Sequence, residues 1–68
     1  MQSIAKITNI ETGETFVVCF NDEEGSIWAR PIVGNRKPLP IGPVKDYGTA
    51  VETVASAYAG KEWCICWI

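Results

Sequence analysis

The chain contains no histidine. That removes the imidazole that normally activates a Ser or Cys nucleophile, and with it one of the commonest metal ligands. Cysteine is scarce too: Cys19, Cys64 and Cys66 form an odd set, which any disulfide framework would leave with a spare thiol. Cys64 and Cys66 are spaced Cys-x-Cys, whereas structural zinc takes four ligands at wider spacing. The thiols therefore read as reduced and as small hydrophobes of the core, and the compartment as cytoplasmic. No leader and no apolar run long enough to cross a bilayer is visible, so no membrane association is expected. The glycines match neither GxGxxG nor the GxxxxGK[ST] phosphate loop. Asp22-Glu23-Glu24 lacks the alternating oxygens of a calcium loop and reads as a solvated hairpin tip. These absences point to a protein that is not an enzyme and carries no cofactor and no metal.

What is present is concentrated at the C-terminal end. Trp63-Cys64-Ile65-Cys66-Trp67-Ile68 has no charge, no Gly and no Pro, and reads as a strand apolar on both faces. Such a strand must be covered on its faces and along its edge, or it aggregates. The chain has 68 residues, one domain spanning 1–68 near the lower limit for independent folding, and its three Trp must carry much of the core. The net charge of −2 argues against strong nonspecific nucleic-acid binding, but the charges are segregated. Residues 11–24 hold Glu11, Glu14, Asp22, Glu23 and Glu24 with no base, and residues 26–45 hold Arg30, Arg36, Lys37 and Lys45 with no acid.

Residues 2–10 make a first strand of imperfect alternation, with Ile4 and Ile7 at positions of opposite parity. Glu11-Thr12-Gly13-Glu14 is a turn in which Gly13 supplies a positive φ. Residues 15–20 form a second strand with Phe16, Val18 and Phe20 on one face and Val17 and Cys19 on the other. Asn21–Gly25 repeats the turn chemistry, and a third strand runs from about Ser26 to Val33. Pro31 places that strand at an edge or ends its ladder. Residues 34–48, with three Pro and three Gly, read as a long irregular basic loop of the kind that is often functional.

Thr49-Ala50-Val51-Glu52 reads as a capping box opening a helix over 50–59. Val51, Val54, Ala55 and Tyr58 form its apolar stripe and Gly60 its C-terminal stop. The expected fold is a small α+β domain, β-β-β-α-β: a three-stranded antiparallel meander, one helix on one sheet face, and a C-terminal strand. The simplest strand order is 3-2-1-4, with the last strand parallel to the first and at an edge.

Without catalytic equipment, a chain this small reads as a non-enzymatic protein-binding module. Inhibitors and regulators of the viral (bacteriophage) type, acting on a larger host protein, are one habitat for complete reading frames of this size. The long loop offers one Pro-x-x-Pro, Pro40 to Pro43, with Lys37 before it and Lys45 after it, and Trp28 lies near positive charge. Candidate partner- or ligand-binding residues are therefore Trp28, Arg30, Arg36, Lys37, Pro40, Pro43 and Lys45. An aromatic beside bases also suits a nucleotide or nucleic acid, the alternative reading. The uncharged last strand favours a homodimer through Trp63, Ile65 and Trp67.

Overall fold

The computed structural model describes residues 2–33 and 37–68. Among these lie one five-stranded sheet and one helix: β1 (Gln2–Asn9), β2 (Thr15–Asn21), β3 (Ser26–Val33), β4 (Leu39–Pro43), α1 (Tyr47–Ala57) and β5 (Trp63–Trp67). The order across the sheet is β4-β3-β2-β1-β5, and every neighbouring pair is antiparallel. No helix among the described residues is long and apolar enough to cross a membrane.

The two first hairpins close with one device used twice. Asn9 Oδ1 accepts from the N–H of Glu11 and of Thr12 (2.9 and 3.1 Å), and Asn21 Oδ1 accepts from the N–H of Glu23 and of Glu24 (3.1 and 3.3 Å). Each turn ends four residues on at a glycine whose N–H returns to the Asn carbonyl: Gly13 at φ 76° and Gly25 at φ 67°. Side-chain chemistry of Asn and the left-handed freedom of Gly thus set both turns locally.

The segment read as irregular, 34–48, contains β4. Pro40 and Pro43 are compatible with it because β4 is an outer strand, where a missing N–H on the solvent side costs no ladder bond. The strand is bulged: Ile27 pairs with Gly42 but Trp28 with Pro40, which leaves Ile41 as the extra residue, packed toward the core. Its ladder with β3 ends at Ala29–Leu39, before Pro31, so β3 is internal over its first half only.

This added strand also corrects the expected direction of the last one. Each antiparallel strand reverses the chain, so a fourth meander strand makes α1 start at the end of the sheet where Ser26 pairs with Pro43. Tyr47 meets Phe20 at that end, with ring centroids 6.5 Å apart, and Tyr58 meets Trp63 at the other, 4.9 Å apart. β5 then runs back antiparallel to β1, not parallel. Its place beside β1 and at an edge is as expected.

One face of the sheet carries the core: Ile4, Ala5 and Ile7 from β1, Phe16, Val18 and Phe20 from β2, Ile27 and Ala29 from β3, covered by Val44 and by Ala50 and Val54 of the helix. Ile4 and Ile7 share this core despite their parity, because a bulge between Ser3 and Ala5 inserts Ile4 as an extra residue. The helix buries Ala50 and Val54 and half-buries Val51 and Tyr58, whereas Ala55, expected on the stripe, is exposed.

The cap lies elsewhere than the sequence implied. Asp46 is the N-cap, its Oδ1 accepting from the Thr49 N–H at 2.8 Å, and Thr49 is inside the first turn. The helix ends at Ala57 with Tyr58 as cap, and Gly60 takes no positive φ. The Thr49 N–H, then the Thr49 hydroxyl, hold the Asp46 carboxyl below its ordinary value of 3.8.

Val54→Ala leaves a void under α1 and should lower stability by about 1–3 kcal/mol in denaturant melts. Asp46→Ala should lower Tm, whereas Thr49→Ala keeps the backbone donor of the cap, loses only the hydroxyl and should lower Tm less. Because folding depresses the Asp46 pKa, the cap contributes fully above pH 3.8 and is lost as pH falls through the lower folded value. A Tm–pH profile that keeps its acid limb unchanged in Asp46→Asn would refute this assignment.

Candidate binding surfaces

Register assigns every strand residue to one of two faces. Opposite the helix lie Ser3, Lys6 and Thr8 of β1, Thr15, Val17, Cys19 and Asn21 of β2, and Ser26, Trp28, Arg30 and, past a bulge, Val33 of β3. Pro40 and Pro43 of β4 and Cys64 and Cys66 of β5 extend this face to both edges. With one short helix on the other side, no described element covers it. Its strand positions hold two bases, Lys6 and Arg30, and no acid.

Trp28 occupies the middle of the β2–β3–β4 half of this face. Cys19 stands opposite it on β2 and Pro40 on β4, and Pro43 is opposite Ser26, one step along. The indole is anchored at its polar edge: Nε1–H donates to Ser26 Oγ at 3.1 Å, and the Ser26 hydroxyl donates to Glu24 Oε2 at 3.1 Å. Arg30, exposed, lies two residues further along the same strand. The topology thus gathers four of the residues singled out from the sequence, Trp28, Arg30, Pro40 and Pro43, on one face. Lys37 and Lys45 are exposed beyond the two ends of β4, and Arg36 lies outside the described residues.

The three cysteines are not gathered. Cys19 is buried on β2, and β1 separates it from Cys64 and Cys66, which are exposed on β5. Among the described residues, no group of three or more His, Cys, Asp or Glu side chains is placed to hold a metal ion.

A second feature, on the helix face, is absent from any reading of the sequence. Where α1 ends, the sheet is left partly uncovered, and a half-open cleft of about 160 Å³ remains there. Ile7, Phe16 and Ala29 form its floor, Tyr58 and Trp63 a wall, and Asn9, Thr12 and Glu14 of the first turn a polar rim. The Tyr58 and Trp63 rings meet edge-on at 76°, and Phe16 lies 6.2 Å from Trp63. Small-molecule sites usually enclose roughly 300–1,000 Å³, so this cleft is sized for a single side chain. Its only sequence signal is one aromatic each from β2, the helix end and β5, residues otherwise read as core, helix stripe or dimer contact.

Comparison of the chain with protein-family models, with curated proteins and with solved structures finds no match. Partial burial raises the Tyr58 phenol above its ordinary value of 10.0. The folded state therefore favours the neutral phenol, a contribution present below pH 10.0 and lost as pH rises through the folded value. Tyr58→Phe retains the ring contact with Trp63 and should flatten the alkaline loss of stability in urea melts; an unchanged alkaline limb would contradict the burial of the phenol.

Proposed function

We propose that the protein is a non-enzymatic binding module that docks a larger protein on its uncovered sheet face. The observation that supports this reading is Trp28, half-buried on that face with an anchored indole, set between Cys19 and Pro40 and beside Arg30. Trp and Arg are the side chains most often responsible for interface affinity. Proline and strand backbone lose little freedom on binding, so such a surface is ordered before the partner arrives. A face with Lys6, Arg30 and no acid at its strand positions calls for an apolar partner surface bordered by Asp and Glu. Acting as an inhibitor or regulator of that protein belongs to this proposal.

The nucleotide or nucleic-acid reading uses the same Trp28 and bases. Salt separates the two, because phosphate contacts weaken steeply with ionic strength and an apolar interface does not. Capture of a protein by the immobilised wild type should persist in high salt. It should be lost in Trp28→Ala and weakened in Arg30→Glu, with Tm checked for each variant. Retention of the captured protein by both folded variants would move the site away from this face, and release of bound nucleic acid by salt would favour the alternative.

A further inference from the structure

The two edges of the sheet are unlike. β4 carries Pro40 and Pro43 and is flanked by Lys37 and Lys45, the residues that keep an outer strand from recruiting another. β5 has neither charge nor proline, and among the described residues β1 is its only strand neighbour.

The ladder shows which backbone groups of β5 are free. The Ile10 N–H donates to the Glu62 carbonyl at 2.9 Å and the Ile68 N–H to the Ile4 carbonyl at 3.0 Å. In an antiparallel pair, bonded positions alternate, so residues 62, 64, 66 and 68 turn their N–H and C=O toward β1. The N–H and C=O of Ile65 and Trp67 and the C=O of Trp63 point outward. The Trp63 N–H turns back to the Gly60 carbonyl at 3.3 Å.

Those outward groups sit on a palindrome. Trp63-Cys64-Ile65-Cys66-Trp67 reads the same in both directions, so an antiparallel copy matches it residue type for residue type. We propose that β5 pairs with β5 of a second copy of this chain about a two-fold axis through Ile65. Ile65 then forms the hydrogen-bonded pair with the partner's Ile65, and Trp63 and Trp67 stand opposite the partner's Trp67 and Trp63. Trp67, 47% exposed in one copy, gains a neighbour on the helix face. An unrelated strand could satisfy the backbone, but only a copy supplies this match.

The same register places Cys64 opposite the partner's Cys66, and Cys66 opposite the partner's Cys64. Both are non-hydrogen-bonded pairs on the uncovered face, where Cα atoms approach to about 4.5 Å, inside the roughly 4.4–6.8 Å that a disulfide spans. The thiols are exposed on the outer strand. In a reducing medium the dimer is held by backbone and side-chain contacts alone. With an oxidant, each opposed pair loses two protons and two electrons and forms one S–S bond, giving two bonds per dimer. This interface uses none of Trp28, Arg30, Pro40 or Pro43, so it stands or falls separately from the proposed docking face.

The test combines sedimentation of the reduced protein with mild oxidation by diamide, which is itself reduced to the hydrazine. Reduced wild type should sediment as a dimer at micromolar concentration, and diamide should convert it to one covalent dimer on a non-reducing gel, with no ladder. Cys64→Ser alone and Cys66→Ser alone should give no covalent dimer, because identical thiols are not opposed. An equimolar mixture of the two variants should restore it, with about half of the pairs cross-linked if exchange is random. All variants keep Cys19, which is 4% exposed and out of reach. A reduced monomer, a ladder of oligomers, or single variants that cross-link as readily as the mixture would overturn the pairing.

Discussion

The packing of one short helix against β2 is the constraint from which the remaining features follow. An isolated helix of 11 residues is marginal in water, so α1 persists only because Ala50 and Val54 are buried against the sheet. Its ends are tied by aromatic contacts, Tyr47 to Phe20 and Tyr58 to Trp63. A helix of this size shields one face of a five-stranded sheet and no more. Among the described residues the second face is therefore left without a cover, and the strip of the first face past Tyr58 becomes the cleft at Phe16 and Trp63.

The uncovered face reconciles burial with composition. Val17 and Cys19 are apolar and turned away from the helix, yet Cys19 is almost fully buried. Its cross-strand neighbours, Ser3 and Trp28, stand on either side of it. Trp28 is held in place by the Ser26–Glu24 chain of hydrogen bonds. The same side chain therefore lies beside the buried Cys19 and stays half-exposed on that face, which is why the proposed docking site centres on it.

The edges show a division between protection and availability. Proline and lysine close the β4 side, and Pro40 and Pro43 contribute to the proposed docking face as well. On the β5 side no residue from Trp63 to Ile68 opposes a further strand, and the outward backbone groups follow from the ladder to β1. A chain of 68 residues builds a small core, and apolar surface shared between copies is one way to enlarge it.

The sequence by itself determined what is encoded within a few residues. Asn and Gly at fixed spacing set both hairpin turns, alternation put Phe16, Val18 and Phe20 on one face, and the uncharged stretch after Glu62 formed an edge strand beside β1. Tertiary structure decided whatever depended on a distant neighbour. Leu39–Pro43 is a strand only because β3 lies beside it; prolines lower its intrinsic tendency, and the ladder outweighs that. One such strand reverses the direction of all that follows, so the parity of β5 could not be read without it. The helix cap moved from Thr49 to Asp46 because two local patterns competed and the observed fold has Asp46 accept from the Thr49 N–H. The cleft and the grouping of Trp28 with Pro40 are products of register, a pairing between segments that no local stretch of the chain specifies.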